Sequence, residues 1–293
     1  MNAKVKVARL SVASNTLLIV LKIAAGVISG SVSIISEAIH SSMDLVASLI
    51  ALFSVKTSDI PSDKGHPYGH GKVENVSGVI EAVLIFVAAI MIIVEAIKKM
   101  IHPGEIEAIG WGAGVMFVAA VVNWIVSRKL YKVSKETDSV ALEADALHLK
   151  TDVYTSLGVA IGLLLIWITG LTFLDPIIAI LVAILILKES FHMLNRAFNP
   201  LLDSAWEDEE FDKLIIILKK MQVNYHDLKT RRAGHYRFIE FHIEMRGNTT
   251  LENVHHRCDS IEKRLKKEFD NLDVMIHEEP INHNDKKKAS IPL

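Results

Sequence analysis

The chain has 293 residues, 51% of them hydrophobic, a mean hydropathy of +0.33 and a formal net charge of −2. That is too apolar for one ordinary soluble domain, and so small a charge gives no ground for a nucleic-acid partner, so none is expected. Cys258 is the only cysteine, so no intramolecular disulfide can form and the polar region needs no oxidising compartment.

Taken in chain order, six segments are predicted to span a bilayer, each close to the ~20 residues its hydrocarbon core requires. They are 10–29, 33–55, 74–101, 108–130, 141–169 and 174–195. No cleavable signal peptide is expected, because the first apolar run is too long and no convincing small-residue cleavage site follows it. "SGSVS" separates the first two spans, "HPGE" the third and fourth, and "ITGLTFLDP" the last two, where Pro176 suits a first helical turn. Basic residues collect at the N-terminus (Lys4, Lys6, Arg9), in the 56–72 loop (Lys56, Lys64, Lys72) and in a predicted 128–150 loop (Arg128, Lys129, Lys132, Lys135). Lys98 and Lys99 stand on the other side. The positive-inside rule then puts both termini of a multi-pass membrane protein in the cytoplasm.

After Pro200 the sequence turns charged. "EDEEFDKLIIILKKM" reads as a helix with acids in its first turn and lysines in its last. "HDLKTRRA" and "YRFIEFHIEM" read as strands either side of Gly234, "LENVHHRCDSIEKRLKKEF" as an amphipathic helix and "LDVMIHEE" as a final strand. The order αββαβ predicts a small α+β domain. The expected layout is an all-α six-helix transmembrane domain over 1–202, a cytoplasmic α+β domain over 203–284 and a disordered tail over 285–293.

Two stretches in the apolar half carry chemistry. "EAIHSSMDLVAS" places His40 four residues before Asp44, and about a hundred residues later "DALHLKTDVYTS" places His148 four before Asp152. Residues four apart share a helix face. A charge at the bilayer centre costs at least ~2.5–3.5 kcal/mol, so two aspartates there need partners. A divalent cation supplies one, and two imidazoles with two carboxylates suit tetrahedral zinc. Glu37, Glu143 and Asp145 read instead as solvated flanks. In the loop "PSDKGHPYGHGK", Asp63, His66 and His70 can close on one cation, since the glycines permit a tight path. In the polar half His226, His242, His255, His277 and Glu279 come from several elements, a spread better explained by zinc than by isolated hydrogen bonds. His235, His256 and His283 read as surface residues.

Together these motifs resemble the cation diffusion facilitator family of zinc transporters, especially its bacterial exporters. The resemblance covers nearly the whole chain, with "GHPYGHGKVE" after the second span and "HDLKTRRAGHYRFIEFHIEM" in the tail domain falling in family order. It implies a homodimeric, proton-coupled metal exporter with a metallochaperone-like cytoplasmic domain. It also implies that His40, Asp44, His148 and Asp152 form the transport site. Asp63, His66 and His70 would form a loop site, and His226, His242, His255, His277 and Glu279 a cytoplasmic site. Zinc is then substrate and regulatory ligand, with cadmium, iron and cobalt as further cargo. The His/Asp, His/Asp set favours zinc over manganese, and Glu279 stands where aspartate is usual in the family.

The competing reading is a membrane-anchored zinc sensor or buffer without transport, which leaves two ligand pairs inside the membrane without a purpose. An intramembrane zinc protease needs a general-base glutamate beside paired histidines, as in His-Glu-x-x-His, and no such motif occurs, so no enzyme is expected.

Overall fold

The computed structural model describes residues 3–29, 32–101, 111–169 and 173–281, which form two compact units, Met1–Phe198 and Asn199–Leu293. The tail expected beyond residue 284 lies outside the described residues.

The first unit is all helix: α1 (Ala3–Ser29), α2 (Val32–Ser58), α3 (Lys72–Ile101), α4 (Trp111–Thr137), α5 (Val140–Thr169) and α6 (Leu174–Phe198). At 1.5 Å per residue each exceeds the ~30 Å of a bilayer core. Three segments among the described residues, Ala3–Ile28, Lys72–Lys98 and Pro176–Leu202, are apolar enough to span on length and composition alone. The other three helices are polar on the inside. Ser41, Asp44 and Ser48 of α2, Asn123, Ser127 and Ser134 of α4, and Asp145 and Thr151 of α5 are buried, while Met43, Phe53, Phe117 and Trp124 are exposed. Apolar side chains outward and polar ones inward is the arrangement lipid demands of a helix bundle with a polar interior.

The helices run past the predicted spans. The predicted 128–150 loop reduces to Asp138 and Ser139, with Asp138 at φ 51° making the turn. Val126, Leu130 and Ser134 continue a buried stripe at a spacing of four, so α4 stays helical while its cations face outward. Helices α1, α2, α5 and α4 pack in a ring, and α3 pairs most extensively with α6. A Cβ on Gly78 of α3 would come within 2.9 Å of Val140 Cγ1 and 3.0 Å of Ala197 Cβ, so only glycine permits this approach. Near the α3 start, Glu74 is fully buried and accepts hydrogen bonds from Lys4 Nζ (3.1 Å), Ser58 Oγ (2.6 Å) and Ser139 Oγ (2.5 Å), tying four helix ends together.

The second unit has α7 (Asp208–Lys220), β1 (Tyr225–Ala233), β2 (Tyr236–Met245), α8 (Leu251–Glu268) and β3 (Leu272–Pro280), the predicted αββαβ order. The sheet runs β1-β2-β3, with β1–β2 antiparallel through a hairpin at Gly234 (φ 59°) and β2–β3 parallel across α8. Leu214, Ile217 and Leu218 of α7 and Ile261 and Leu265 of α8 bury Ile239, Phe241 and Ile243 of β2. Because side chains alternate along a strand, His242 points to the face the helices leave open.

Candidate metal centres

Asp44 of α2 and His148 and Asp152 of α5 converge inside the first unit. Their ligating atoms all lie within 4.8 Å of one another. His148 Nε2 stands 3.1 Å from Asp44 Oδ1, and Asp44 itself is buried. His148 and Asp152 share a face of α5 by their spacing of four. His40 lies one turn before Asp44 in α2, with its side chain outside those described. Two asparagines brace the aspartates: Asn15 Nδ2 of α1 donates to the Asp44 carbonyl at 3.2 Å, and Asn123 Nδ2 of α4 to Asp152 Oδ2 at 3.4 Å. One nitrogen and several carboxylate oxygens are a donor set for a borderline divalent cation.

The second centre is the loop after α2. Asp63 Oδ1 accepts from the Gly65 and His66 N–H groups at 2.8 and 2.7 Å, an Asx-type turn. The His66 N–H holds the Asp63 carboxyl below its ordinary range against the opposing desolvation, with the Gly65 N–H and the two imidazoles adding to it. His66 Nδ1 and His70 Nε2 each stand 3.6 Å from an Asp63 oxygen, and the two rings lie 4.4 Å apart. His70 Nδ1 donates to the Ile60 carbonyl at 3.3 Å, which leaves Nε2 as the lone-pair nitrogen facing Asp63. Gly69 takes φ 81°, a conformation that favours glycine.

The third centre lies on the open face of the sheet. His226, His242 and His277 are paired in register across β1, β2 and β3, so the three rings form a row, with centroids 5.1 and 4.6 Å apart. Glu279, two residues beyond His277, points to the same side. Its Oε2 is 3.3 Å from His226 Nε2 and its Oε1 3.0 Å from His242 Nδ1. His226, His242 and Glu279 make the tightest group, while His277 Nε2 is 3.8 Å from Glu279 Oε1 and mostly exposed. A bulge after His226, with Asp227 at φ 51°, inserts one residue into β1 and sets His226 opposite His242. His255 is not brought to this row. It sits on α8, in the layer on the other face of the sheet, with its Nε2 3.9 Å from Asp259 Oδ1.

Sequence reasoning passed over three residues here. Asp145 is fully buried rather than solvated. Glu143 is partly buried and holds Lys135 Nζ (2.9 Å) and Arg196 Nη1 (2.8 Å) on one oxygen. Asn123 carried the same signal as the aspartates, a polar side chain in the apolar run "FVAAVVNWIV". Glu37's side chain lies outside those described.

Comparisons with known proteins identify the family. The family description "Cation efflux transmembrane domain" matches residues 8–202 and "Cation efflux protein, cytoplasmic domain" residues 206–281. An uncharacterized transporter of Synechocystis is 32% identical over 282 residues, 93% of this chain and 91% of that protein. A cation-efflux pump FieF of Salmonella choleraesuis is 33% identical over 279 residues, 94% and 93% of the two chains. The solved metal-bound C-terminal domain of the CzcD transporter from Thermotoga maritima is 29% identical, covering 27% of this chain and 99% of that one, with a TM-score of 0.25. With both family descriptions matched in order along its length, the chain belongs to the cation diffusion facilitator family and is a membrane cation-efflux transporter, not an enzyme.

Proposed function

We propose that the protein exports zinc from the cytoplasm across the cell inner membrane in exchange for protons, as a homodimer with both termini cytoplasmic. The observation that carries this reading is the 3.1 Å contact of His148 Nε2 with Asp44 Oδ1 beside Asp152. With the Asp44 carboxylate as acceptor, that hydrogen bond puts a proton on Nε2, the nitrogen whose lone pair a bound cation needs. Metal and proton therefore compete for one atom, and a cation that binds there in place of an imidazolium proton releases it. Histidine titrates within the physiological range, so a pH difference across the membrane can drive the exchange. Alternating access follows if the site faces the cytoplasm when loaded with metal and the far side when loaded with protons.

The histidine row on the open sheet face supports a regulatory zinc site with Glu279 shared between His226 and His242. Cadmium, iron and cobalt remain further cargo for the same donor set.

The test is flux in sealed proteoliposomes with an imposed pH gradient and zinc, cadmium, iron, cobalt and manganese in turn. Wild type should move zinc fastest, and dissipating the gradient should slow it. Asp152→Ala and Asp44→Ala should abolish flux while leaving the protein folded. Zinc binding without any flux in wild type would favour the sensor reading instead.

A further inference from the structure

A cleft of about 530 Å³ opens between α4, α5 and α6, at the end of the bundle where α6 runs on into the second unit. Five cations line it, Arg128, Lys132, Lys135, Lys150 and Arg196, against two acids, Glu143 and Glu189. Glu143 is already taken up by Lys135 and Arg196, which share one of its oxygens. A route for a divalent cation would not be lined by an excess of positive charge. An anion is the complementary guest.

The rest of the lining says which anion. Arg128 lies 4.3 Å over the Trp124 ring, Lys135 5.2 Å over Tyr131 and Lys150 5.3 Å over Tyr154. Trp124 and Tyr131 are about half exposed, as are Val121 and Ile125 of α4 and Leu185 and Phe191 of α6. Lys135 and Arg196 stand near the helix ends, and Arg128 about two turns deeper, where a long side chain can reach back to the interface. Cations with aromatic rings, continuous with an apolar outer face, match a headgroup and its acyl chains better than a free ion in water.

We propose that this cleft binds the phosphate headgroup of an anionic phospholipid, whose chains lie along the exposed faces of α4 and α6. The test is native mass spectrometry of the purified full-length protein in detergent, titrated with phosphatidylglycerol or phosphatidylcholine. Wild type should retain phosphatidylglycerol selectively. Arg128→Gln with Lys132→Gln should weaken that binding about twentyfold or more, since each cation near an anionic headgroup contributes about fivefold. Lys263→Gln with Lys266→Gln on α8 removes the same charge elsewhere and should change nothing. If the double variant aggregates, Lys132→Gln alone, at an exposed position, should still show about a fivefold loss. Equal retention of the two lipids overturns the proposal. So does displacement by millimolar inorganic phosphate, equal loss in the α8 control, or a changed subunit number in the double variant, which would make the cleft a contact between copies.

Discussion

Asn123 touches the candidate transport site through one bond, to Asp152 Oδ2. Partners that orient a ligating carboxylate typically account for ten- to a hundredfold in affinity. Asn123→Ala should therefore raise the half-saturating zinc concentration about tenfold in the vesicle assay, with the maximal rate much less affected. Cys258 behaves oppositely to a metal thiolate. Burial, then its hydrogen bond to Glu278 at 3.0 Å, pushes the thiol up to about 12. Alkylation at pH 8 should be at least about a hundredfold slower than for an unfolded control, and its rate should still be climbing at pH 10. The folded thiol keeps its proton to higher pH than the unfolded one. Its contribution to stability is thus intact below about pH 9 and lost as pH rises toward 12. At this scale the convergence of Asp44, His148 and Asp152 was legible because a charge in a bilayer needs a reason. Asp145 was not, since whether a polar residue near a helix end meets water or a neighbouring helix depends on packing that one chain's hydropathy does not encode.

The secondary elements of the second unit were readable because strand alternation and helix amphipathicity are local. The bulge that aims His226 was not, because a single inserted residue leaves the periodicity nearly intact. Asp227 sits there at φ 51°. Asp227→Val should destabilise the unit by about 1–2 kcal/mol, the cost of a β-branched residue in that conformation, and weaken zinc binding to the row. Asp227→Gly should keep both, as read by thermal melts with and without zinc. In the first unit the helix ends were misplaced for a related reason: Arg128, Lys132 and Lys135 looked like a loop, although the buried stripe beneath them continues the helix. The clasp on Glu74, which joins residues as distant as Lys4 and Ser139, leaves no trace in local pattern at all.

At the scale of the whole molecule, the proposed function puts transport and sensing in separate units, and separating the units tests it. The second unit has its own core of eleven buried residues, so it should fold alone. A ligand that binds only the folded state stabilises it by RT ln(1 + [L]/Kd), about 2.7 kcal/mol at a hundredfold excess over Kd. Zinc should raise the melting temperature of the isolated unit accordingly, and His242→Ala with His277→Ala should remove most of the gain. In the full chain that double variant should still carry zinc, more slowly or at higher zinc. Complete loss of transport by a folded double variant would mean that the row does more than regulate.

The two asparagine braces have a further consequence. Asn15 precedes Asp44 by 29 residues, and Asn123 precedes Asp152 by the same 29, with a histidine four residues before each aspartate. The hairpins α1–α2 and α4–α5 thus share one asparagine–histidine–aspartate spacing, and in the proposed topology they would enter the membrane from opposite sides, as the halves of an inverted repeat do. Their symmetry is broken in one detail. Asn15 holds the backbone of its aspartate, and Asn123 holds the carboxylate of its own. If the proposed alternating access exchanges those two roles, each half already displays the arrangement that the other would adopt.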